Sequence, residues 1–204
     1  MCIRDSTHSE RFETLREFGG PMHGIQAWVA LPTELEETAP SFANHGPDDL
    51  PTYEGGGMWA RLIAGKAFGA EAKVKTHSPM FYVHWRLDAG ATAQLPAEYP
   101  ERAAYVAQGS VSIDGREFHH GQMIVFEPGH TIAVTAVTDA IVMLLGGEPL
   151  GQRFIEWNFV SSSKDRLEQA KADWRAGRMK LPDADHDEFI PLPPDPPPQA
   201  PAMS

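Results

Sequence analysis

At 204 residues, with 42% hydrophobic and 22% charged side chains, the chain has room for one well-buried core and part of a second. A formal net charge of −11, with no basic run anywhere, disfavours direct binding to nucleic acid, because phosphate contact needs clustered Lys and Arg. A single cysteine, Cys2, excludes an internal disulfide, no apolar run approaches the roughly 20 residues that cross a bilayer, and no signal peptide opens the chain; a cytoplasmic protein with no membrane partner is expected.

In chain order, residues 1–6 (MCIRDS) show neither strand alternation nor helix capping and read as a non-native leader. Residues 24–31 (GIQAWVAL) are apolar, β-prone and closed by Pro32, which predicts a strand. Residues 33–57 are rich in Pro, Gly, Asp and Glu and read as an interdomain linker. Strands are then predicted over 59–63, 80–87, 103–108, 111–113, 116–119, 123–126, 131–137 and 140–145, with Asp114-Gly115 as a two-residue hairpin. Short strands at this spacing without intervening helices predict an all-β sandwich or barrel. After Phe159 the pattern changes: Ser161–Ser163 can cap a helix through KDRLEQAKADWRA, striped by Leu167, Ala170 and Trp174 and ended by Gly177. The acidic, Pro-rich tail that follows carries a Phe189-Ile190-Pro191-Leu192 segment able to dock, with disorder expected from Pro193.

Most of the nine histidines have ordinary readings. His45 lies in the linker, His77 precedes a strand, His119 and His120 end one, and His130 follows a Pro-Gly turn. His84 falls mid-strand on the same alternation as Tyr82 and Arg86. His186-Asp187-Glu188 has ligand types but no rigid element to hold them. His8 and Glu10 differ. Two residues apart, they would project from one face of a strand, and an imidazole beside a carboxylate could share one metal ion. Taken alone, such an HxE is common by chance, and two solvated polar residues on an edge is its commoner meaning.

The context resembles the pirin family. His8–Glu10 followed by GGPMHGIQAWVALP (19–32) is similar to the segment closing that family's N-terminal cupin domain. Collinear matches continue through ARLIAGKAFG (60–69), SPMFYVHWRLDAGA (78–91), YVAQGSVSIDG (105–115) and GGEPLGQRFIEWNFVSSSKDRLEQAKADW (146–174). The resemblance implies an all-β cupin (double-stranded β-helix or jelly-roll barrel) with a short C-terminal α-helix, preceded by a remnant of a second barrel. The corresponding divisions are 7–32 for the remnant, 33–57 for the linker, 58–160 for the cupin, 161–180 for the helix and 181–204 for a mostly disordered tail. The family's N-terminal barrel holds iron through three histidines and a glutamate. By position in the motif, His8 looks like the third histidine and Glu10 like the glutamate, the latter serving as both ligand and base; the other two histidines have no counterpart in this sequence.

Laid on the complete barrel, the general cupin metal pattern falls on Pro96, Glu98, Arg102 and Ile132. Arginine repels a cation and isoleucine offers no donor, so this barrel is expected to be metal-free. The resemblance implies that the intact parent is an iron-dependent quercetin (flavonol) 2,3-dioxygenase acting on a small flavonol-like substrate. The alternatives are an iron- or redox-sensing regulator that binds a transcription factor or metabolic enzyme, and a structural cupin without activity. The chain as written is expected to be a monomer, inactive, without tight iron, and cut by proteases within 33–57 to leave a core from about residue 59 to 174.

Overall fold

The computed structural model describes residues 8, 9, 11–183, 185–187 and 189–194. Its contacts divide into two compact units, one spanning residues 43–151 and the other joining the chain before residue 43 to the chain after residue 151.

The first unit contains eleven strands: β1 (Thr52–Gly55), β2 (Met58–Ala67), β3 (Ala70–Glu71), β4 (Met80–Leu87), β5 (Thr92–Leu95), β6 (Glu101–Gln108), β7 (Ser110–Ile113), β8 (Arg116–His119), β9 (Met123–Phe126), β10 (Ile132–Ala136) and β11 (Ala140–Gly147). One sheet has the order β1-β2-β4-β11-β6-β9, with β3 added to β2, and the other runs β5-β10-β7-β8. Together they form a barrel, one of the two architectures that the short-strand pattern predicts, and the cupin that the family resemblance implies. Strand β4 shows how the sequence builds it. Phe81, Val83, Trp85 and Leu87 alternate inward and are almost fully buried, while Tyr82, His84 and Arg86 alternate outward. Val106, Val142 and Leu144 join this core from the same sheet, and Leu95, Val111 and Val134 meet it from the other.

The predicted hairpin is present: Ile113 pairs with Arg116, and Asp114 and Gly115 both take positive φ, as the turn requires. Gly65 has a different necessity. Its φ is 76°, and a Cβ there would lie 1.8 Å from the Met80 carbonyl oxygen, so β2 can approach β4 only with glycine at this point. Strands β4, β8 and β9 coincide with their predicted bounds. β1 falls in the expected linker; its four residues are all exposed and carry no inward face that a period-two pattern could reveal.

The second unit holds α1 (Glu13–Phe18), β12 (Phe154–Glu156), β13 (Phe159–Ser161) and α2 (Lys164–Arg175). The strand predicted over 24–31 is not formed. That segment has no regular structure, and Ile25, Trp28 and Val29 are exposed. No described strand pairs with it, and an apolar, β-branched run without a neighbouring strand has no ladder to complete. The α2 prediction holds: the Ser163 hydroxyl accepts from the Arg166 N–H at 3.3 Å, and Leu167 and Ala170 are buried. Trp174 stands 5.7 Å from Trp157 and 6.0 Å from Phe189, and its indole N–H donates to the Ile190 carbonyl at 3.0 Å. The docking segment of the tail thus finds its surface on the helix. Among the described residues, no helix is long and apolar enough to cross a membrane.

Candidate functional site

Of the two residues that sequence reasoning selects for metal, Glu10 lies outside the described residues. His8 is exposed and sits on irregular chain, not on a strand. The expected same-face geometry therefore has no strand beneath it at His8 and Ser9. The next residue described, Arg11, is held by the tail: its Nε donates to Asp185 at 2.8 Å, a second guanidinium nitrogen also meets the Asp185 carboxylate, and Glu13 lies 3.6 Å away. These bonds push the arginine pKa up and the Asp185 pKa down, with the side-chain hydrogen bond as the leading cause of each shift. Asp185 is thereby engaged as a cation partner. His186 points its Nδ1 at the Asp183 carbonyl, 3.1 Å away, and Glu188 lies outside the described residues.

Among the described residues, no three His, Cys, Asp or Glu side chains converge as a metal site would require. The donor set on view, one exposed imidazole, does not fit an iron centre by itself.

Inside the barrel the cupin metal pattern can be followed atom by atom. Arg102, on β6 at the position the pattern gives to a glutamate, is only 2% exposed. Its guanidinium donates to the carbonyls of Pro96 at 2.9 Å, His130 at 2.7 Å and Glu127 at 3.0 Å. The arginine thus ties the β5–β6 connection to the β9–β10 connection. Ile132, at the pattern's histidine position, packs against the hydrophobic core.

A second constellation lies on the outer face of the larger sheet. Trp59 and Arg61 on β2 pair with Arg86 and His84 on β4. Both guanidiniums lie over the one indole, with the Arg61 carbon 4.8 Å and the Arg86 carbon 5.3 Å from its centroid, and the His84 ring meets the same indole edge-on at 5.4 Å. Burial, and after it the charges of Arg61 and Arg86, hold the His84 pKa below its ordinary value. Beside the cluster opens a groove of about 320 Å³ lined by residues 54–59, Arg86 and Asp88. Strand alternation had placed His84 and Arg86 on one face; the partnership with Trp59 and Arg61 depends on strand order and register, which local sequence does not carry.

Comparison with known proteins gives these features a context. Residues 82–180 match the family description "Pirin C-terminal cupin domain". A pirin-like protein of Caulobacter vibrioides is 70% identical over 92% of this chain, which spans 65% of that protein. Human pirin is 28% identical, with 76% of this chain aligned to 56% of its length. Among solved structures, a quercetin 2,3-dioxygenase from Acinetobacter baumannii superposes with a TM-score of 0.73 at 26% identity, over 85% of this chain and 58% of that one. The chain thus spans between about half and two thirds of the length of the relatives it matches.

Proposed function

Because the chain belongs to the pirin family, we propose that its activity is the iron-dependent oxygenation of a flavonol such as quercetin, and that these 204 residues alone do not carry it out. The observation that carries the reading is the match to the Acinetobacter quercetin 2,3-dioxygenase, which extends over 85% of this chain yet over little more than half of that enzyme. A mononuclear iron needs several protein ligands, and this sequence offers only His8 and Glu10 at positions that match the family's motif. In this reading His8 and Glu10 are two of four ligands, and residues 7–32 are the closing segment of the barrel that holds the metal. The barrel of residues 58–160 keeps its interior closed with Arg102 and binds no metal.

The test sets the 204-residue chain beside the Caulobacter relative, both purified after growth in iron-supplemented medium, and measures metal content and the loss of quercetin absorbance in air. The relative is expected to retain stoichiometric iron and consume quercetin, and the 204-residue chain to do neither. Stoichiometric iron in the shorter chain would overturn the incomplete-site reading. An iron-loaded relative that left quercetin untouched while retaining a partner protein would replace the enzymatic reading with the regulatory one.

A further inference from the structure

The cluster on the outer face of β2 and β4 has no role in the reading above, and its composition runs against the rest of the molecule. The chain carries a net charge of −11, yet two arginines share a single tryptophan here. Among the described residues, neither Arg61 nor Arg86 has a carboxylate at ion-pair distance. The Nε of Arg61 and the Nε2 of His84 are buried without a hydrogen-bond partner. Two like charges gathered on one ring repel each other, and an unpartnered buried donor forfeits its hydration. The cation–π contact with the indole repays only part of that cost.

This arrangement also decides what the cluster can receive. A guanidinium held over an aromatic ring can still turn its terminal N–H donors to a ligand, in the fork that matches an oxyanion, and with the Arg61 Nε buried it is the terminal nitrogens that are left for this. His84, its pKa lowered by burial and then by the charges of Arg61 and Arg86, places its ring on the next row of the same face, opposite Arg61. Glu54, across from Trp59 on β1, and Asp88 line the adjoining groove and disfavour a second negative charge inside it. A ligand is therefore directed to the side of the cluster that Arg61 and His84 occupy, with Arg86 as the link between the two rows.

We propose that Arg61, Arg86 and His84, organised by Trp59, form a binding site for an oxyanion group, a phosphate or carboxylate, carried by a small molecule. This site is separate from the metal ligands proposed above and stands or falls independently of them, since its residues all belong to the 43–151 unit.

The experiment titrates the intact chain with inorganic phosphate and, separately, with citrate, at ionic strength held constant with sodium chloride, while NMR follows the His84 ring and the Trp59 indole resonances. Saturable shifts of both residues are expected with at least one of the two anions, and the arm that saturates at the lower concentration identifies the group. Arg86→Gln, an exposed position whose loss leaves the core intact, is expected to weaken binding about tenfold or more, as loss of a bidentate contact does. Arg61→Gln is expected to do the same, with an unchanged amide spectrum elsewhere as the check on folding. Shifts that grow linearly without saturation, or saturable binding that survives in the Arg61→Gln/Arg86→Gln double variant, would overturn the proposal. So would binding of an acidic peptide where neither phosphate nor citrate binds.

Discussion

Arg102 ties two strand connections together from a single buried position. A buried guanidinium is costly, and here its two terminal nitrogens meet three main-chain carbonyls instead of a carboxylate, while Nε is buried without a partner. Arg102→Met removes the charge and its desolvation cost, but it strips the donors from the carbonyls of Pro96, Glu127 and His130. Glu127 and His130 are themselves exposed, so water can reach part of what is lost. The balance is a loss of roughly 2 kcal/mol in unfolding free energy, read from urea denaturation. Arg102→Glu faces the same carbonyls with a second set of acceptors and is expected to destabilise by about 4 kcal/mol or more. A Met variant as stable as the parent would show that the three bonds contribute nothing net. Its place was legible, because the cupin pattern points to Arg102 by spacing. Its partners were not, since any residue supplies a carbonyl and no side-chain pattern marks which one will be used. The His8–Glu10 pair is the converse: the residue types are chemically apt, but their geometry depends on a strand that the described chain does not form at His8.

At the scale of elements, the start of α2 rests on more than its serines. The Glu36 carboxylate accepts from the Ser161 hydroxyl at 3.0 Å, from the Ser162 N–H at 3.0 Å and from the Ser162 hydroxyl at 3.0 Å. Arg153 reaches the same carboxylate at 2.9 Å and also donates to the Leu31 carbonyl at 2.7 Å. Both charged side chains are largely buried, so this pair is screened far less than a surface one. Glu36→Gln keeps the shape but turns an NH2 group toward donors. It is expected to lower stability by about 2 kcal/mol and to speed hydrogen exchange at Ser162 and the first turn of α2 while leaving β4 unaffected. Uniform acceleration across both units would mean that the node acts on global stability alone. The serine cap was readable because capping is local, residue to residue plus three. Glu36 reads as linker from sequence, because its partners lie 125 and 126 residues away and nothing nearby marks it as structural. The same limit explains the strands. β4 is legible because alternation writes its buried face into eight consecutive residues, whereas 24–31 carries strand chemistry and lacks only what sequence cannot show, a neighbour.

Across the whole molecule, the two ends of the chain belong to one unit and the barrel between them to another. Phe42, at the junction, is 83% exposed, and residues 43–46 have no regular structure, which makes this stretch a natural site for chymotrypsin. A cut there severs the backbone without severing the N-terminal piece from the C-terminal one. Glu36 remains bound to Ser161, Ser162 and Arg153, Glu37 to Arg166 at 3.0 Å, and Arg11 to Asp185. The exposed members of this set are weakened by salt, while the Glu36–Arg153 pair is shielded from it. The nicked protein is therefore expected to elute from gel filtration as one species in moderate salt and to separate into two fragments only under denaturing conditions. With Glu36→Gln, the smaller fragment is expected to leave in native buffer. Dissociation of the parent's N-terminal fragment without denaturant would show that residues 8–42 are held by the continuous backbone alone and that the polar node contributes little to joining the two ends.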